Sequence, residues 1–173
     1  AAYVPPTPPP IAKLAEAMRP EGRILVVAHR EELIRQACDK IQAWTSLSTA
    51  VEMGEERAEG LWGSRADVVV ASVQTLARPA RLARFEPSEF GLVIVDEAHH
   101  APATTYGSVL THFKTAKLFG CTATPDRLDG AALGKIFETS PYIYEIREAI
   151  ADGWLVPIRQ KKAVIDKLDL SRV

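Results

Sequence analysis

Asp96 and Glu97 stand side by side at the end of an apolar run, Leu92 to Val95, and His99 and His100 follow almost at once. Burying two adjacent carboxylates is costly unless something compensates them, so this run must open onto water or onto a ligand. An Asp–Glu pair in that position suits metal-assisted phosphoryl chemistry. The Asp holds Mg²⁺, usually through water, and the Glu orients or deprotonates an attacking water. Two simpler readings compete. The carboxylates could cap a following helix, where acidic groups are favoured. Glu97 and His100 also make E-x-x-H, the di-iron spacing, but that site needs a second copy on a facing helix and the sequence holds none.

The elements that position this pair can be read from periodicity. Residues 23–28 (RILVVA), 67–72 (DVVVAS), 91–97 (GLVIVDE) and 117–124 (KLFGCTAT) are short apolar runs that read as buried strands. Residues 49–53 could add another, with a helical turn or two at 55–61. Between the strands, Leu33, Ile34, Ala37, Ile41 and Trp44 recur at helical spacing, with Glu31 and Glu32 in the first turn. Helices are also expected at 11–18, where prolines lead into the first turn, after residue 72 until Pro79 stops it, at 106–115, near 131–137 and at 147–152. A strand is expected at 142–146 and an extended segment at 156–168. Such alternation implies right-handed crossovers and an α/β fold, with a mostly parallel sheet covered by helices on both faces. Each of the four main strands ends in a polar cluster: AHRE, ASVQT, DEAHH and CTATPDR. In an open parallel sheet those ends share one edge, where ligands bind.

Composition sets the bounds. The 173 residues carry a net charge of −1, with 47% hydrophobic and 25% charged side chains, an ordinary globular mixture without a global basic field. Cys38 and Cys121 fit no disulfide or metal spacing, which suits a reducing compartment. No apolar run is long enough to span a membrane and no signal peptide is visible, so a cytoplasmic protein is expected.

The polar clusters together carry a resemblance. VDEAHH resembles the Walker B motif, motif II, of superfamily 2 helicases of the DEAH type. VVAHREELIRQA is similar to motif Ia, ASVQTL to motif Ib and CTATPDR to motif III, in family order over residues 24–127. DEAHHAPATTY with TATPDR looks most like the branch of type III restriction enzyme helicase subunits. The resemblance implies a RecA-like, P-loop NTPase-type first motor domain over residues 11–173, using ATP and Mg²⁺ on nucleic acid, DNA in preference to RNA, beside a second RecA-like domain. It implies Asp96 as the Mg²⁺ residue, acting through water, Glu97 as catalytic base and His99 as the link from the nucleotide site to motif III. Thr122, Ala123 and Thr124 would couple ATP state to strand movement. Ala28, His29, Arg30, Ser72, Gln74 and Thr75 would touch the nucleic-acid backbone, a contact that positions a strand without reading its sequence. His29 could instead be an idle strand-end histidine, and Arg30 and Arg35 solvated helix charges.

One part of the family pattern is missing. The phosphate loop G-x-x-x-x-G-K-[ST] should precede the helix before RILVVA. There the sequence reads VPPTPPPIAKLAEAM, with no glycine, and Lys13 lacks a following Ser or Thr. Residues 1–10 therefore read as a Pro-rich segment without a Walker A loop. Two functions remain open: part of an ATP-dependent helicase or translocase, or a non-catalytic relic or excised module that binds nucleic acid or a protein.

Overall fold

The computed structural model describes residues 9–58, 65–101, 104–123, 134, 136–139, 142–143, 145–153 and 155–157. Five strands form one sheet: β1 (Arg23–Ala28), β2 (Thr49–Glu52), β3 (Val68–Ser72), β4 (Phe90–Asp96) and β5 (Lys117–Cys121), in the order β2-β3-β1-β4-β5. Every neighbouring pair is parallel. The expected α/β fold is therefore present, with the possible strand near residue 49 as its edge.

The helices are α1 (Pro10–Met18), α2 (Glu31–Trp44), the short α3 (Val73–Leu76) and α4 (Pro79–Leu82), and α5 (Thr104–His112). The period-2 alternation of the strands divides their side chains between two cores. Ile24, Val26, Val68, Val70, Leu92 and Ile94 pack with Ala15 of α1 and Ile34, Ala37 and Ile41 of α2. Leu25, Val27, Val69, Val93 and Val95 pack on the other face with Leu76, Tyr106, Val109 and Phe113. Each such aliphatic chain, fully buried, contributes about 1.5–3 kcal/mol. Both faces are thus covered, which is why these strands read as unbroken apolar runs. Along α2, Cys38 joins the buried stripe while Trp44, in the last turn, is exposed.

The helix after β3 ends at Leu76, before Pro79, which holds Arg78 extended (φ −67°, ψ 127°) and then opens α4 at its first position, where its missing N–H costs nothing. Two expectations need correction. Glu55–Ala58 is not helical: Gly54, at φ +55°, turns the chain back so that Met53 bridges Glu56. Tyr142, Ile143 and Glu145 join no strand, because the capping box of Glu145 with Glu148 begins a helix, α6 (Ile146–Ala151), at Ile146. The expected helix near 131–137 and the extended segment at 156–168 fall largely outside the described residues. The chain divides into two compact units, residues 1–139, which hold the sheet, and residues 140–173, which hold α6.

Candidate functional site

β4 and β5 run in register to their carboxyl ends, where Asp96 lies opposite Cys121. The Oδ1 of Asp96 accepts the N–H of Glu97 at 3.0 Å and the thiol of Cys121 at 3.4 Å. Burial, reinforced by the charge of Asp96, pushes that thiol up to about 12, so Cys121 is a neutral donor at ordinary pH. Glu97 is the one non-glycine residue with positive φ among the described residues, at φ 53° and ψ 53°. This left-handed residue breaks the strand and opens the 3₁₀ turn Ala98–His100. The turn folds back because Gly120 leaves room: a Cβ there would sit 2.8 Å from the Ala98 Cβ and 2.6 Å from the Phe137 ring. His99 Nδ1 consequently reaches Thr122 Oγ1 at 2.8 Å and Glu97 Oε2 at 3.3 Å.

Two residues that spacing did not single out complete this group. One is Cys121; the other is Tyr106, whose buried hydroxyl has no hydrogen-bond partner. Burial first, then the charges of Asp96 and Glu97, pushes it up to about 12. Tyr106 follows the DEAHH cluster on α5, but only the sheet reveals that it turns back toward the carboxylates.

The other edge residues sit one and two strands away. Gln74 donates to the His29 carbonyl at 3.1 Å and accepts the Ser72 hydroxyl at 2.8 Å. Ser72 also caps α3 by accepting the Thr75 N–H, and Thr75 Oγ1 accepts the N–H of Gly54. Ala28, Ser72 and Thr75 are buried, at 0%, 8% and 5% exposure, so their side chains are committed to the interior. The surface of this group is His29, Arg30 and Gln74. Arg30 Nε lies 3.2 Å from His29 Nε2, and the His29 ring meets His100 edge-on with centroids 4.3 Å apart. A cavity of about 420 Å³ is lined by His29, Arg30, Glu97, His99, His100 and Ala123 among others. A larger one of about 670 Å³ lies against α2 and β2 and is lined by none of the candidate residues. Thr124 lies outside the described residues.

The donor chemistry fits one part of the expected ligand set and not another. Asp96 and Glu97 are hard oxygen donors at a half-exposed edge, and among the described residues no cluster of three or more ligating side chains could cage a metal ion. That suits Mg²⁺ held through water by one or two carboxylates, as the ion prefers. The start of α1 does not suit a phosphate. Pro9 and Pro10 have no N–H, and the amides of Ala12 and Lys13 bond the Pro9 carbonyl at 3.0 and 3.2 Å. Only Ile11 retains a donor in that turn.

The five-stranded parallel sheet, with polar residues gathered at its carboxyl edge, is an α/β domain of the RecA-like kind. Residues 10–127 match the family described as type III restriction enzyme, res subunit, and the chain belongs to that family. It is 36% identical over 156 residues to the candidate ATP-dependent helicase IRC3 of Saccharomyces cerevisiae, covering 86% of this chain but 22% of that protein. Among solved structures it resembles the Hef helicase domain of Pyrococcus furiosus (TM-score 0.61, 24% identity, 71% of this chain and 29% of that one). It also resembles Dbp5 of S. cerevisiae bound to RNA and ADP BeF3 (TM-score 0.63, 16% identity, 80% and 39%). These two likenesses establish the fold. Among the described residues no helix is long and apolar enough to cross a membrane.

Proposed function

We propose that this chain is the first motor domain of an ATP-dependent helicase or translocase that moves on nucleic acid, DNA in preference to RNA. The observation that carries this reading is the gathering of Asp96, Glu97, His99 and Thr122 at one sheet edge, beside a loop that presents Arg30 and His29. Mg²⁺, when bound with ATP, neutralises charge developing on the phosphates. On this reading Asp96 would hold the ion through water, Glu97 would take a proton from the attacking water, and His99 bridges Glu97 to Thr122. Ala123 and Thr124 belong to the same coupling segment. Arg30, His29 and Gln74 meet the nucleic-acid backbone with their side chains, while Ala28, Ser72 and Thr75 shape the loops that carry them. A second RecA-like domain supplies the remaining contacts.

One observation favours a narrower role for the chain as it stands. The proline-blocked start of α1 offers no cradle of amides to a phosphate. Nucleic-acid binding without ATP turnover is then expected. Titration calorimetry with ATP and Mg²⁺, and phosphate release with and without single-stranded DNA, test both readings. The expected result is no measurable hydrolysis and weak, sequence-independent DNA binding in the range of about 10⁻⁴–10⁻⁶ M. Micromolar ATP binding would remove the narrower role, and tight, salt-insensitive binding to one sequence would remove the motor reading.

A further inference from the structure

The inference concerns His100, and it rests on the proposed nucleic-acid reading. β1 and β4 are neighbours at the point where the chain changes direction across the sheet, β3 and β2 lying on one side and β5 on the other. Backbone pairing between them ends at Val27 with Val95. Beyond that pair the two connections separate. The one after β1 carries His29 and Arg30 into α2, and the one after β4 carries Glu97 to His100. Side chains span the gap. The His29 and His100 rings meet edge-on at 4.3 Å, and His100 lies against His99 with centroids 4.1 Å apart. His99 in turn holds Thr122 and Glu97. Arg30 reaches the other end of this series through His29 Nε2.

We propose that His100 is a positioning residue, the ring through which a nucleic-acid strand at Arg30 and His29 alters the placement of His99, Glu97 and Thr122. Three observations support it. His100 is exposed, so its ring is not held there by core packing. His29 Nδ1 is buried without a partner, so hydrogen bonding anchors that imidazole from the Arg30 side alone and leaves its tilt to its neighbours. Finally, the turn that His100 closes begins at Glu97 in the left-handed region, a conformation that persists only while its surroundings hold it, so a change at His100 bears directly on it. Coupling requires an element that both sites bias, and the segment Glu97–His100 meets His29 on one side and Thr122 on the other.

The test uses the chain itself, ¹⁵N-labelled, with oligothymidylate as the probe and amide shifts read at matched occupancy. In the unsubstituted chain, the oligonucleotide should move the amides of residues 28–30 and 74, and also those of 97–100 and 122. In His100→Ala the first set should still move, while the second set moves no more than amides remote from the strand. His100→Phe keeps a ring against His29 and should restore the second set. If His100→Ala unfolds, His100→Gln, which keeps bulk and polarity but removes the ring, must show the same split. Equal movement of 97–100 and 122 in His100→Ala would overturn the inference and leave the nucleic-acid reading standing. No movement anywhere would overturn both.

Discussion

The two ends of the sheet treat their charges in opposite ways. At the amino end the charged groups pair with one another. Arg23, at the start of β1, pairs with Glu89 ahead of β4, with side-chain exposures of 11% and 3%, and donates to the Ala66 carbonyl. Asp67, ahead of β3, accepts the Ser48 N–H and hydroxyl at 2.9 and 2.7 Å and pairs with Arg19. Gly91 lies so close to the preceding loop that a Cβ would come within 2.5 Å of the Glu21 carbonyl. At the carboxyl end, toward β4 and β5, Asp96 keeps an uncommitted oxygen, Glu97 is held in a left-handed turn, and Tyr106 and His29 each bury a polar atom without a partner. On the β2 and β3 side the carboxyl edge is closed: the fully buried Glu52 meets Arg81 and accepts the Ala58 N–H, and Ser72 and Thr75 spend their hydroxyls on local bonds. Paired charges fix a register. Incompletely satisfied ones are what a ligand-binding edge must retain.

This contrast makes a double prediction. At the carboxyl edge, Glu97→Gln keeps size and hydrogen bonding but removes the proposed base. In a protein of this family that binds ATP it should slow turnover by about 10²–10⁴ with nucleotide binding retained. Unchanged steady-state hydrolysis would take Glu97 out of the mechanism. At the amino end, Glu89→Ala leaves Arg23 nearly buried without its carboxylate and should cost about 3–5 kcal/mol in urea unfolding. A loss below 1 kcal/mol there would erase the distinction between the two ends. Gly91→Ala follows at about 1–3 kcal/mol, because Glu21 meets it with backbone that cannot rotate away.

Much of this was legible in the sequence because one physical signal dominates it. Strands buried on both faces require uninterrupted β-branched runs, and ILVV, VVV and LVIV leave little alternative. Their shared polar edge followed from parallel topology alone. What spacing could not show depends on contacts between distant segments. Nothing local distinguishes Ser72 and Thr75, whose hydroxyls are spent on a cap and on Gly54, from Gln74 between them, which faces solvent. Cys121 matters because β5 sets it opposite Asp96, and Tyr106 because α5 packs on the face below Val95. The tract at 142–146 reads as a strand by composition, but Glu145 and Glu148 satisfy a helix start, and that local bonding prevails.

The pH dependence of stability sharpens the comparison further. The Ser48 hydroxyl, then its N–H and the nearby Arg19, lower the Asp67 carboxyl from 3.8 to about 2. A depressed carboxylate contributes stability that is complete above its unfolded value and lost as pH falls through the folded one. The Asp67 contribution should therefore persist above about pH 4 and vanish toward pH 2. With its side chain 24% exposed, solvent screening limits that contribution to about 1–2 kcal/mol. Asp67→Asn should flatten the acid limb of the unfolding midpoint over that window. An unchanged limb would mean that the Ser48 and Arg19 contacts do not hold this end together.

The smallest effect probes the other end and turns on sign. At an ordinary helical or extended position glycine is less stable than alanine by about 0.5–1 kcal/mol, because it has more freedom to lose. Position 97 sits at φ 53°, where a Cβ crowds the following carbonyl at a cost of about 1–2 kcal/mol. Glu97→Gly and Glu97→Ala both delete the carboxylate and its contact with His99, so that loss cancels between them. The remainder is the backbone term, offset in part by the larger unfolded-state entropy of glycine, about 0.4–1 kcal/mol. Glu97→Gly should therefore be the more stable of the two by about 0.5–1 kcal/mol, the reverse of the usual order, as read from paired urea titrations. The usual order, alanine above glycine, would mean that the turn after β4 relaxes out of the left-handed region once the side chain is gone. The carboxylate would then be what holds the backbone there, and the fold would not be imposing strain on it.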